Sequence, residues 1–397
     1  MVAPLETGAP QPTGSPRAME PHPRFSDAEF DRRRRAVLEA MAEEGVQHAV
    51  VYGANRFGPA VTWLTGWPVT REAALLLSEA DPDLLLVQFH NHVPNARELA
   101  RCEVRWAGPS TTETVVKELA RRGARGPVGT LGPVSVELHA ALGARFGRVV
   151  PLDRRYTELR LVKSAEELAW TRVGAELSDR AVEAILREGR VGMSERDLAD
   201  LVERAYTPAG GTTYIHYFGA TSMARPDRCV PAQFASARRL QPGDVLVTEI
   251  SAAFWDYPGQ VLRTFTVASD PTPLYRDLHE VAQAAFEAIV ARVRDGAHPE
   301  ELVEAAAVIE EAGFTTYDDL VHGFVGGYLP PVVGSRSRTL WPVPDLPLRA
   351  GMCLVVQPNV ITRDERAGVQ TGELVVVTKE GAERIHRAPP GLHRIGG

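Results

Sequence analysis

The residues of this chain that could do chemistry are a few histidines, acids and amides set in apolar runs or beside glycines. His322 stands in "HGFVGGY", where glycine lets the backbone approach a ligand closely, and Tyr328 closes that segment. His216 stands in "TTYIHYFG" between Tyr214 and Tyr217, where it either packs among aromatics or adds a general base. Glu249 follows the apolar run "DVLVT", and Gln260 comes eleven residues later in "GDVLVTEISAAFWDYPGQVLRTF". Gln357 precedes Pro358 in "AGMCLVVQPNV", and Glu373 lies in "AGVQTGELVVVTKEG".

An imidazole exchanges protons near neutral pH, so His322 or His216 is a candidate general acid/base. Glu249 could orient that ring or pair with a cationic substrate. Gln260, Gln357 and Arg263 could supply dipoles and charge to a developing oxyanion. With Glu373 and Tyr328 they make up the candidate substrate-binding set. His92 and Arg97, in "HNHVPNAR", either belong to an ordinary surface loop or contact a substrate carboxylate. No Ser or Cys sits in a recognisable nucleophile motif, which argues against a covalent acyl-enzyme.

Strands and helices must hold these groups in place. Residues Gly243 to Phe265 read as two strands joined by a turn, and "TTYIHYFG", "MCLVVQPNV" and "GELVVVTKEG" read as further strands. Capping boxes, Ser26 to Glu29 and Ser164 to Glu167, open two amphipathic helices. "SERDLADLVERAYTPAGG", "LYRDLHEVAQAAFEAIVARVRDG" and "PEELVEAAAVIEEAG" read as three more. "RRRR" at 32–35 falls on the first helix and reads as a solvated face. Nearer the N-terminus, "HAVVYG", "EAALLLSE" and "DLLLVQF" alternate with helical patterns, which implies an α/β domain. The expected organisation is a disordered tail over 1–25, an α/β domain over 26–157 and an α+β domain over 158–397.

Composition excludes several classes. A net charge of −7 and the lack of any basic run interleaved with aromatics speak against a nucleic-acid partner. Three dispersed cysteines without a C-x-x-C argue for a reducing compartment and against a disulfide framework or a structural zinc. No apolar run approaches the roughly 18 residues of a membrane span, and the N-terminus lacks the pattern of a secretory signal. A cytoplasmic protein with a small-molecule substrate is expected.

Four landmarks, in order, resemble the pita-bread family of methionine aminopeptidase, aminopeptidase P, prolidase and creatinase. They are "ELRLVKSAEELAWTR", the Gly243–Phe265 hairpin, "HGFVGGY" and the two C-terminal strands. In "HGFVGGY", Val325 replaces the second glycine of the family's H-G-x-G. The resemblance covers roughly 26–390 and implies an α/β creatinase-like N-terminal domain, an α+β pita-bread C-terminal domain and a homodimer.

Metal-binding members of that family hold two divalent ions with Asp, Asp, His, Glu and Glu. Carried over by position, these fall on Glu249, Gln260, His322, Gln357 and Gly372, with Glu373 one residue out of register. Hard divalent ions want anionic oxygen, and an amide is a poor replacement. A one-residue step along a strand turns a side chain to the other face, although a bulge at Gly372 could return Glu373 to the pocket. The expectation is therefore no metal cofactor, with a single divalent ion on Glu249, His322 and Glu373 as the alternative. The family's second histidine falls on Leu329 and a third near Asp227 and Arg228, which weakens ordinary Xaa-Pro peptidase activity.

Creatinase is the family's precedent for a metal-free pocket in which histidine moves the proton. The resemblance thus implies a metal-independent enzyme hydrolysing a C–N bond in a small polar molecule, a lyase reaction being the variant. Two other readings stand beside it. One is a catalytically silent ligand- or peptide-binding member, the other an Xaa-Pro metallopeptidase with a degenerate single-metal site.

Overall fold

The computed structural model describes residues 22–339 and 342–396, so the expected tail through residue 21 lies outside the described residues. The described chain divides into two compact units between Arg160 and Leu161.

The N-terminal unit runs α1 (Asp27–Glu43), β1 (His48–Ala54), α2 (Pro59–Thr65), β2 (Glu72–Ser78), β3 (Leu84–Val87), α3 (Val93–Leu99), β4 (Glu103–Trp106), α4 (Thr111–Arg121), β5 (Val128–Leu131), α5 (Val136–Phe146), β6 (Val149–Pro151) and α6 (Asp153–Leu159). Its strands form one mixed sheet in the order β4-β3-β2-β1-β5-β6. Alternate residues feed two cores. Ala49, Val51, Leu75, Leu77 and Leu85 face Val37, Met41 and Trp63, whereas Val50, Leu76 and Leu84 face Val115, Leu119 and Leu142. A sheet covered on both faces needs apolar residues at every position, which is why β1 to β3 read as unbroken apolar runs.

Two local expectations need correction. Ser26 caps α1 by accepting from the Glu29 N–H, but the Glu29 carboxylate is taken up by Arg32 and Arg33. The "RRRR" run is not a uniformly solvated face, because Arg33 is buried on Glu29 and Arg34 pairs with Asp83. An acid four residues before an arginine on a helix draws the guanidinium inward.

The C-terminal unit runs α7 (Ala165–Glu188), α8 (Glu195–Tyr206), β7 (Thr212–Ser222), β8 (Asp244–Phe254), β9 (Tyr257–Val267), α9 (Pro273–Val290), α10 (Pro299–Ala305), α11 (Val308–Glu311), β10 (Thr315–Thr316), β11 (Val321–Gly323), β12 (Leu329–Val333), β13 (Cys353–Val356), β14 (Val360–Ile361), β15 (Gly372–Val377), β16 (Ala382–Arg384) and β17 (His393–Ile395). The single helix expected over "PEELVEAAAVIEEAG" is two, because the chain tightens at Ala306 and Ala307, where Ala307 N–H bonds back to Glu304 O. A large sheet runs β12-β11-β13-β15-β9-β8-β7, with β16 and β17 added at its side.

The β8–β9 hairpin lies in that sheet between β15 and the edge strand β7. Trp255 and Asp256 at its tip both take positive φ, as a two-residue turn between right-twisted strands requires. Ser164 and Glu167 form the expected capping box, and α7 then lies directly on the hairpin. Gly174 and Gly259 allow this approach, since a Cβ on either would collide with the facing backbone. Ser178 stitches the layer together: its hydroxyl accepts from Ala252 N–H at 2.8 Å and donates to the Gly259 carbonyl. On the other half, α9 packs Tyr275, Leu278, Ala282 and Phe286 into a core with Leu354, Val356 and Val375.

Candidate active site

Strand register sorts the candidate residues onto two faces. Glu249 stands opposite Leu262, Ser251 opposite Gln260, and Leu262 opposite Gly372, so these side chains share one face. His322 joins it through β13 and β15, standing opposite Val355, which stands opposite Leu374. Tyr217 stands opposite Glu249 and shares the same face.

On that face the side chains form one network. Gln260 Nε2 donates to Glu249 Oε1 at 2.8 Å and to Gln357 Oε1 at 3.4 Å. Gln357 Nε2 donates to Asp319 Oδ1 at 2.8 Å, and the Tyr328 hydroxyl donates to Asp319 Oδ2 at 2.9 Å. His322 Nδ1 lies 3.1 Å from Gly323 O. A carbonyl only accepts, so Nδ1 carries the proton and the neutral ring keeps its lone pair on Nε2. The rings of His322 and Tyr328 lie 4.5 Å apart.

The glycine-rich segment that carries His322 and Tyr328 is sharply bent. Val325, Gly326 and Gly327 all take positive φ, and for a β-branched residue such as Val325 that backbone is strained. Valine thus occupies a conformation suited to the glycine it replaces.

Burial sets the proton affinities. It pushes Glu249 up to about 8, and the charges of Asp318 and Asp319 add to the effect. Asp318 is raised to about 6 by burial and by Asp319, and Asp319 is raised by burial as well. Burial pulls His322 down to about 4, which leaves the ring neutral at pH 7. The site therefore combines a protonated carboxylic acid with an unprotonated imidazole.

The remaining candidates lie elsewhere. Glu373 stands opposite Val261 without a bulge, on the face turned away from Glu249. There its carboxylate meets Arg263 Nη2 at 2.9 Å and Arg384 Nε at 2.7 Å. Arg263 spends its other N–H groups on the carbonyls of Leu262, Gly372, Ala388 and Pro389. Neither residue reaches Gln260, and the ligand set Glu249–His322–Glu373 is not assembled. His216 stands opposite Ile250, also on that far face, with Nε2 3.2 Å from the Tyr206 hydroxyl. Burial pulls it down to about 4. In the N-terminal unit, His92 bonds Thr70 Oγ1 at 3.1 Å and packs between Trp67 and Phe89. Arg97 donates to Val104 O.

The structure also brings in groups that sequence reasoning missed. Asp318 and Asp319 precede His322 in "YDDLVH" and supply the pocket's other two acids. Their closeness to the histidine in sequence was the available signal.

These residues do not fit a pair of divalent ions. The Gln260 and Gln357 amides aim N–H groups, not oxygens, at Glu249 and Asp319. At Gly372 a Cβ would collide with the Val356 carbonyl oxygen, so the strand leaves no room for a carboxylate there. Among the described residues no group of three or more His, Cys, Asp or Glu is gathered so as to hold a metal ion.

Comparisons with known proteins place this geometry. The profile of metallopeptidase family M24 matches residues 169–379. The Xaa-Pro dipeptidase of Pyrococcus furiosus is 27% identical over 239 residues, covering 59% of this chain and 65% of the relative, so the match falls short of two thirds of the relative's length. The X-Pro aminopeptidase from Thermotoga maritima superposes with a TM-score of 0.79 at 20% identity, over 91% of this chain and 99% of that one. A prolidase from Thermococcus sibiricus gives 0.80 at 19% identity, over 94% and 100%. The chain belongs to metallopeptidase family M24, and its pita-bread fold follows an α/β N-terminal unit along the chain.

Proposed function

We propose that this M24 member hydrolyses a C–N bond in a small polar molecule without a metal ion, with His322 as general base and Glu249 as general acid. A peptide link is itself a C–N bond, so the bond class is shared with the dipeptidase relatives. What differs is the source of positive charge. The observation that carries the reading is the Gln260 amide, whose N–H groups span Glu249 and Gln357 at two former ligand positions.

The chemistry balances on the residues present. His322 Nε2 takes a proton from water, and the water oxygen bonds to the substrate carbon. The C–N electron pair leaves with nitrogen, which receives the proton that burial keeps on Glu249. Return of the histidine proton to Glu249 restores both groups.

The test is turnover of a panel of small amides, ureas, amidines and dipeptides by chelator-treated protein. Turnover should be equal with and without chelator and lost in His322→Ala. Activity abolished by chelator and restored by Mn²⁺ would overturn the proposal. If no compound turns over while one raises the melting temperature, the silent binding member replaces it.

A further inference from the structure

The base that the hydrolase reading requires is shut away. His322 is only 3% exposed, although a general base must meet a water and a substrate at once. Something lying against the ring has to move before the chemistry can begin.

Two of its neighbours are pinned. Phe324 meets the ring edge-on at 5.5 Å, is itself buried, and its N–H is tied to Cys353 O at 2.9 Å. Gln357 is buried and held by its amide between Asp319 and Gln260. Tyr328 differs. Its ring lies over that of His322 at 4.5 Å and 30°, yet the residue is 56% exposed. Among the described residues its side chain makes one hydrogen bond, from the hydroxyl to Asp319 Oδ2 at 2.9 Å.

The backbone beneath Tyr328 is suited to turning. Phe324 to Tyr328 form the loop between β11 and β12, closed by the pair Gly323 and Leu329. Phe324 and Val325 are buried at its root, and Gly326 and Gly327 stand immediately before Tyr328. Both glycines take positive φ, 84° and 124°, and glycine alone exchanges positive for negative φ without steric cost. Asp319 is the fixed end of the contact, since it is buried and accepts from Gln357 Nε2 on its other oxygen. Burial and the charges of Asp319 and Asp318 keep the proton on the Tyr328 hydroxyl, which therefore donates at neutral pH.

We propose that Tyr328 is a lid over His322, hinged at Gly326 and Gly327 and latched by its hydroxyl on Asp319, which swings out to admit substrate and water. This deepens the hydrolase reading and rests on His322 as its general base, but the lid concerns access alone.

The test labels histidines of the full chain with diethyl pyrocarbonate at neutral pH and follows each one by peptide mass spectrometry. The reagent attacks unprotonated imidazole, and burial leaves His322 unprotonated at pH 7, so its rate reports access. Exposed His139 is the internal reference, and His216, with a side chain 4% exposed on the far face, is the control for global opening. Tyr328→Phe keeps the ring and removes the latch. It should label His322 about tenfold faster than wild type, the worth of one hydrogen bond to an acid, with His216 and the melting temperature unchanged. Tyr328→Ala removes the lid and should be faster still. Equal His322 rates in wild type and Tyr328→Phe, an acceleration shared by His216, or a wild-type His322 as reactive as His139 would overturn the lid. A Tyr328-dependent rate without turnover of any compound in the amide panel would leave the lid standing and remove the hydrolase reading. Turnover lost in His322→Ala, with labelling indifferent to Tyr328, would do the reverse.

Discussion

The two faces of the C-terminal sheet carry carboxylates one register step apart, on β8 and β15, and treat them in opposite ways. Glu373, 1% exposed, is neutralised on the spot by Arg263 and Arg384 and stays ionised, its proton affinity lowered by these hydrogen bonds and charges despite burial. Glu249, on the opposite face, meets two further acids and an amide, and burial raises it to about 8. One buried carboxylate is thus balanced by cations, and the other by keeping its proton and accepting from the Gln260 amide. We read the far face as structural and the near face as the candidate site.

The largest effect that can break this comparison lies on the structural face. Arg263→Met removes one of the two cations on Glu373 together with the guanidinium's bonds to four carbonyls. It should destabilise the protein by about 3–5 kcal/mol, as expected when a buried pair loses one partner. Chemical denaturation measures it. A loss below about 1 kcal/mol, the value of an exposed pair, would mean that Glu373 is not held as described.

On the site face the corresponding change should have a different sign and a pH dependence. The folded state holds the Glu249 proton up to about 8, against 4.5 for the free side chain. The folded protein therefore binds more protons than the unfolded chain between those values, and this contribution to stability is present below about pH 4.5 and lost as pH rises to about 8. Glu249→Gln removes the slope, so the variant should gain on the wild type with rising pH, by on the order of a few kcal/mol across the window. Comparing the two proteins cancels the opposite trend of the buried neutral histidines. A wild type that gained on the variant as pH rose would show that Glu249 has a cationic partner in the free protein.

Much of this arrangement was legible before any coordinates. The strands, the hairpin and the capping box at Ser164 followed from spacing and apolar pattern, whereas the pita-bread fold and the ligand positions followed from the family resemblance. Strand parity pointed Glu373 away from the ligand position at Gly372, but a bulge there stayed open and kept Glu373 among the substrate-binding candidates until the regular register closed that option. The same parity separates Gln260 from Arg263, three residues on, and could have removed Arg263 from the site. Placing His216 required knowing that it stands opposite Ile250, and pairing register between distant strands is not written in either strand alone. Asp318 and Asp319 lie in a loop, where no periodicity says which way a side chain turns. The burial of Arg33 on Glu29 was readable from their four-residue spacing, but a run of four arginines looks solvated.

The central proposal is that the near face does not fit a pair of divalent ions because Gln260, Gln357 and Gly372 stand at the positions that would need carboxylates, and it is tested most directly by titrating Mn²⁺, Co²⁺ and Zn²⁺ into chelator-stripped protein in a calorimeter. The account predicts no stoichiometric uptake and an unchanged melting temperature. Saturable binding of two ions per chain, accompanied by thermal stabilisation and abolished in Glu249→Gln, would contradict it.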